Sequence, residues 1–266
     1  MATTKVRYNQ IKTGLPVGGD VNYDDVSLLL NMEGSNGSTT FIDSSNANRT
    51  VSVNGSAAIS TDQFKFNGSS AEFTGADGDY LNITSSSDFV LNSSDFTVET
   101  WAYIETETNP YGRFIMNWDN NWGSNKWGIH SDHDVGAPTK FSVYAHNAAG
   151  DNPFLKSSSS ISFNTWYHVA FTRSGNTFRL FIDGTEEDSA VYTGSLDNNA
   201  SAPIYIGGND DNVSAIDGYI DNVRITNNVA RYTSNFSVPT AAFPAFESKE
   251  GKRLVVGANE SIELES

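Results

Sequence analysis

The sequence contains no cysteine. That excludes disulfide-stapled scaffolds, thiolate zinc sites and cysteine nucleophiles together. Basic residues are scarce: 16 Lys and Arg face 32 Asp and Glu, giving a formal net charge of −16 at pH 7 and an isoelectric point near 4.4. Such a surface repels phosphate, so neither nucleic acid nor an anionic membrane is expected as a partner. No apolar run is long enough to span a bilayer, and the opening "MATTKVRYNQIKTGLPVGG" lacks the apolar core of a secretory signal. No long stretch shows helical period. No G-x-S-x-G nucleophile elbow occurs either, so a serine–histidine–acid triad has nothing to start from.

What is present is strand. "APTKFSVYAH", "NTWYHVAFTR", "NTFRLFIDG", "APIYIGG" and "GYIDNVRIT" each offer about five to eight strand-like residues between Gly, Asn, Asp or Pro. Many short strands at fairly even spacing predict an antiparallel sandwich or barrel, which reaches roughly 200–250 residues as one domain. Within 164–185, Trp166, His168, Ala170 and Thr172 alternate with Tyr167, Val169 and Phe171. "SGN" at 174–176 turns the chain, and Phe178, Leu180 and Ile182 line one face of the returning strand. This hairpin is apolar on both faces and belongs inside a layered structure. His168 therefore reads as a packed sheet residue rather than a catalyst. Residues 1–24 read as an N-terminal arm, 25–240 as the strand-rich body, and 241–266 as a C-terminal tail containing a possible docking hairpin. Asn-x-Ser/Thr triplets recur, as "NGS" at 36, 54 and 67, and read as Asn/Ser-rich loops rather than glycan acceptors. An exposed-type composition without an export signal points to a viral particle, released by lysis.

"FTVETWAYIE", "NTWYHVAFTRSGNTFRLFIDGT" and "GYIDNVRITNNVARYTSNFSVP", preceded by "VSLLLNMEGSNGSTTFIDSS" and "FNGSSAEFTGADGDYLNI", together resemble the laminin-G-like modules of the concanavalin A-like lectin/glucanase superfamily, of the variety found in bacteriophage and cyanophage virion proteins. The resemblance covers about residues 25–240. It implies an all-β antiparallel jelly roll, a role in binding glycans or proteins, and frequently a structural calcium. It further implies that an early "D.S" loop and a late "ID.VRI" aspartate, here Asp43 and Asp221, meet at one ion. The bland alternative has Asp43 closing an Asx-turn and Asp221 pairing with Arg224.

The most ligand-like stretch is "NPYGRFIMNWDNNWGSNKWGIH" at 109–130. Trp118 and Trp122 flank Asp119 and Asn121, with Tyr111 nearby. Aromatic rings stack on sugar C–H faces while amides and carboxylates fix hydroxyls. Their alternative role is covering the core edge. "HSDHD" puts His130 and His133 three apart, opposite faces of a strand, so a zinc site there would need a loop. Asn209, Asp210 and Asp211 read as a solvated turn. The E-x-D-x-x-E strand of related glucanases is absent, and Glu99, sharing a face with Trp101 and Tyr103, has no aspartate partner in sequence. The expectation is a non-enzymatic, homo-oligomeric virion component that binds host glycans and contacts other virion proteins, located on the particle. A purely architectural protein is the rival reading, and a carbohydrate-active enzyme a third.

Overall fold

The computed structural model describes residues 19–106, 111–117, 127–132, 139–145, 154–196, 201–210 and 215–246. They form two antiparallel sheets laid face to face, an all-β jelly roll: the alternation predicts a sandwich or barrel, and the family resemblance implies the jelly roll. The back sheet has eight strands. Its order is β13 (Thr185–Val191), β12 (Thr177–Ile182), β11 (Trp166–Ser174), β6 (Phe96–Thr106), β15 (Asp217–Asn227), β4 (Ser70–Thr74) and β3 (Ala58–Ser60), with β1 (Val26–Leu30) also on β15. The front sheet has seven strands. It runs β10 (Phe154–Lys156), β9 (Lys140–Ala145), β8 (Trp127–Asp132), β7 (Arg113–Asn117), β14 (Ile204–Ile206), β5 (Tyr80–Ile83) and β2 (Val51–Asn54).

Period-two alternation builds the core between them. From β6, Phe96, Val98, Ala102 and Ile104 point inward; from β11, Val169 and Phe171; from β12, Phe178, Leu180 and Ile182. The front sheet answers with Ile115, Ile129, Phe141, Val143 and Ile204. Phe96, Phe171 and Phe178 meet ring to ring at 5.1–6.0 Å. The β11–β12 hairpin forms as read, closing with Ser174 opposite Thr177 and Gly175 at φ 58°.

The outward face of the back sheet is also buried, because residues 229–246 cross it as a strap. Val229 and Tyr232 carbonyls accept from Thr97 and Thr172 hydroxyls, the Phe236 N–H donates to the Gly184 carbonyl, and the Phe243 N–H to Asn222 Oδ1. Asp20 closes the strap from the other side: its N–H donates to the Phe246 carbonyl and its carboxylate holds both Arg224 and Arg231. Residues 20–24 and 241–246 thus pack on the body instead of belonging to the arm and tail that the polar composition suggested. A buried ion pair and the Phe243 ring, 3% exposed, hold them. Residues 1–18 and 247–266 lie outside the described residues.

Beneath the strap lies a charged hub. Glu99 is fully buried; its Oε1 receives Arg224 Nε and Nη2 at 2.9 and 2.7 Å, and its Oε2 receives the Tyr232 hydroxyl at 2.8 Å with His168 Nε2 at 3.1 Å. Burial alone would raise the Glu99 carboxyl, but Arg224, the His168 bond and Arg231 hold it down to about 2. His168 is 0% exposed and packs edge-on against Trp101, Tyr232 and Phe236, which is the structural role that its strand position predicted.

Candidate functional site

The outward face of the front sheet is also covered at its centre, where Met116 is 0%, Tyr205 6% and Tyr144 9% exposed. Strand register lines up one row across all of its strands: Phe154, Tyr144, Gly128, Met116, Tyr205, Asn82 and Ser52. Alternation places them there. In "KFSVYA", Phe141, Val143 and Ala145 go to the core, so Ser142 and Tyr144 face out; in "IYI", only Tyr205 faces out. Met116, Tyr144, Tyr205 and Tyr80 form an apolar cluster separate from the main core, with Tyr80 and Tyr205 T-shaped at 5.2 Å. Phe154, at the β10 edge, is 53% exposed. The result is an aromatic row, buried along its middle, that reaches solvent at Phe154.

The neighbouring row is polar: Lys156, Ser142, His130 and Arg113 align across β10, β9, β8 and β7. Lys156 pairs with Asp132 at 3.0 Å. His130 stands edge-on to Tyr144 and Phe154, and burial, followed by the charges of Arg113 and Lys156, holds its ring well below the usual histidine range. It is a neutral hydrogen-bonding group, not a charge. At the far side, burial first, then a hydrogen bond to Asp210, pushes the Tyr205 phenol up.

The residues singled out from sequence distribute as follows. Trp118, Asp119, Asn121, Trp122 and His133 lie outside the described residues. Tyr111 is 49% exposed and lies two residues before β7.

Asp43 and Asp221 share no hydrogen-bond partner. Asp43 Oδ1 accepts from the Ser45 and Leu29 N–H groups and Oδ2 from the Arg49 N–H and Ser45 hydroxyl: an Asx-turn tied to β1. Asp221 Oδ2 accepts from the Lys65 and Phe66 N–H groups and Oδ1 from the Asn222 amide, not from Arg224, which Glu99 and Asp20 occupy. Carboxylates ringed by N–H donors are arranged for hydrogen bonding, whereas calcium needs roughly six to eight converging oxygens. The pair does not fit a shared calcium. Among the described residues, no three acid or histidine groups gather at one point. A melting scan with and without chelator is expected to give the same midpoint; a drop of several degrees would restore an ion to the account.

Sequence reasoning missed Tyr144, Tyr205, Met116 and Phe154 as a group. Each strand was legible, yet their adjacency follows from cross-strand register, which joins segments far apart in the chain.

No curated protein sequence matches the chain. Among solved structures, the binding domain of Paraclostridial Mosquitocidal Protein 1 is similar at TM-score 0.59 and 18% identity, over 79% of this chain and 50% of that one. Domain 4 of an extracellular GH43 arabinanase from Geobacillus stearothermophilus, solved in complex with arabinotriose, gives 0.52 and 17% over 76% and 92%. The botulinum neurotoxin serotype D ligand-binding domain in complex with N-acetylneuraminic acid gives 0.57 and 18% over 78% and 49%. The chain spans about half the length of the two toxin domains, and at these identities the likeness is one of fold. A family model, Laminin_G_3, matches residues 73–231, from the inward Phe73 of β4 through β15 to the first residues of the strap. The chain belongs to the concanavalin A-like lectin/glucanases superfamily.

Proposed function

We propose that this chain is a non-catalytic, lectin-like module that binds glycans on the outward face of its front sheet, displayed on the surface of a virion as a fibre, appendage or capsid component. The observation that carries the reading is the row from Phe154 through Tyr144 and Met116 to Tyr205, bordered by Ser142, His130 and Arg113. Flat apolar rings beside uncharged and charged hydrogen-bonding groups are what a sugar's two-sided surface requires. Two structures of similar fold hold a sugar in their named complexes, arabinotriose and N-acetylneuraminic acid. Trp118 and Trp122 fall in sequence between β7 and β8, outside the described residues.

Binding without hydrolysis is supported by Glu99. This acid of β6 lies sealed under the strap with every bond committed, not open to a glycosidic linkage. A display role on a particle fits the acidic, cysteine-free composition.

A glycan array probed with wild type and with Phe154→Ala, Trp118→Ala and Trp122→Ala tests this. Loss of a stacking ring is expected to weaken binding by about tenfold per site. Binding that survives all three changes removes the platform, and a wild type silent on the whole array leaves an architectural role in the particle. Release of reducing sugar from bound glycans would establish an enzyme instead.

A further inference from the structure

The aromatic rings of the strap reach across the outward face of the back sheet as far as the row His168, Trp101 and Asp221, where Phe236 and Phe243 stand 5.7 and 6.5 Å from the His168 ring. The next row along the strands is Trp166, Tyr103, Tyr219 and Glu72, from β11, β6, β15 and β4. Its three rings pack in series, Trp166 on Tyr103 at 5.3 Å and Tyr103 on Tyr219 at 5.8 Å. Tyr103 and Tyr219 are themselves covered, but the rim is open: Phe64 is 46% and Phe163 42% exposed, and Trp166 is half-buried. Phe64 follows Gln63, whose carbonyl accepts from Ser70 of β4, and Phe163 precedes the Asn164 N–H that donates to the Ile104 carbonyl of β6. Two large apolar rings thus stand in water at this end of the sheet.

The rings are bordered by charge of one sign. Asp62, Glu72 and Asp217 lie close enough to Glu105 that, after burial, their charges raise its carboxyl. Among the described residues none of these four acids forms an ion pair. Lys65 is the only basic residue in the segments that build this end, 58–79, 96–106, 161–166 and 215–219, and its ammonium stands 3.9 Å over the Trp101 ring in the preceding row. A cation arriving here is favoured by attraction and by relief of the repulsion among the acids.

Residues 1–18, "MATTKVRYNQIKTGLPVG", have the opposite character: three basic residues, Lys5, Arg7 and Lys12, and no acidic one, in a chain of net charge −16. The segment joins the body beside Asp20, whose carboxylate is fixed to Arg224 on this same face of the sheet. Arg224 and Asp217 are seven residues apart on β15, roughly 20 Å along the strand. The eight residues from Asp20 back to Lys12 span about 26 Å when extended, which covers that distance. In an extended chain Lys5 and Arg7 share one side and Val6 and Tyr8 the other, the mixture that carboxylates beside aromatic rings accept. We infer that the basic N-terminal segment docks on the back sheet of its own chain, at the acidic end bordered by Phe64, Phe163 and Trp166. The tether selects the chain's own segment over a second copy's. It holds the segment at an effective concentration on the order of 1 mM, so a contact with a Kd of about 0.1 mM is occupied about nine-tenths of the time.

Chymotrypsin cleavage after Tyr8 of the full chain, followed by mass spectrometry, tests this against synthetic 1–18 peptides of matching sequence. Cleavage in wild type is expected to be about tenfold slower than in the peptide at every protein concentration, and to approach the peptide's rate in about 1 M salt, where screening acts within ~3 Å. Glu72→Lys with Glu105→Lys should restore the fast rate. Adding Lys5→Glu, Arg7→Glu and Lys12→Glu to that pair should slow it again, a rescue that a merely loosened fold does not give. Melting curves confirm that each variant is folded. Asp62→Lys, at an exposed position, keeps the test open if the half-buried sites reject lysine, and by itself should speed cleavage about threefold. A wild type cut as fast as the peptide, or a rate that the folded variants leave unchanged, overturns the inference. Protection that develops only as protein concentration rises, together with a dimer in sedimentation, overturns it too and gives the surface to a second copy's segment.

Discussion

Replacing Glu99 by alanine is expected to lower the unfolding free energy by about 3–5 kcal/mol, as read by urea titration of tryptophan fluorescence. The loss comes less from the attraction removed than from what is left behind. Arg224, 5% exposed, would keep only Asp20, and Tyr232 and His168 would lose the acceptor they share. Because Arg224 also stacks 4.0 Å from the Phe243 ring, the strap should loosen along with the hub. Glu99→Gln keeps shape and half of the acceptors, so it should cost less than alanine. A Glu99→Ala protein within about 1 kcal/mol of wild type would mean that the hub contributes specificity rather than stability.

The same carboxylate sets the acid limb of stability. Its folded pKa of about 2 lies below the ordinary 4.5, so the folded state holds fewer protons than the unfolded one in between. The stabilisation is complete above pH 4.5 and disappears as pH falls toward 2, an effect on the order of 3 kcal/mol. Asp221 acts in the opposite sense. Burial, outweighing the bonds from Phe66, Asn222 and Lys65, raises it from 3.8 to about 6. Its contribution is therefore full below 3.8 and is lost as pH rises through 6. Stability against pH should have two limbs, with Glu99→Ala flattening the lower one.

The second large effect is expected at Gly207. Its φ of 81° is a left-handed conformation, and an added Cβ would lie 2.1–2.4 Å from the Phe73 ring, itself 1% exposed in the core. Neither problem has a cheap relief, since the ring is hemmed in by the opposite sheet. Backbone strain of about 1 kcal/mol and overpacking of about 1–3 kcal/mol add for Gly207→Ala. The melting midpoint should drop by several degrees. A variant that melts like wild type would show that Phe73 can swing aside.

How much of this was legible depended on whether neighbours in space were neighbours in sequence. The β11–β12 hairpin was read correctly down to its turn, because Ser174–Gly175–Asn176 and the alternation on either side are local signals. His168 was correctly placed as a packed strand residue, but its partner Glu99 is 69 positions away and was noticed only for lacking an aspartate. Asp43 carried both readings, ion ligand and Asx-turn, since a carboxylate in a polar loop looks the same for either. Only the N–H groups around it, one of them from Leu29 of β1, separate the two. Asn209 looked like a solvated turn because polar residues beside Gly-Gly usually are; the closure of the turn onto Phe114 and Asp79 buries it.

By itself the sequence determined the class of architecture. Side-chain alternation with period two is a property of each strand alone, and it points to a layered all-β sandwich or barrel before any strand is paired. Tertiary structure alone decided the register that lines Phe154, Tyr144, Met116 and Tyr205 into one platform, the strap that encloses Glu99, and the turn that leaves Asn209 unmatched. Those are contacts between distant segments, and they arise only when the whole chain closes on its core.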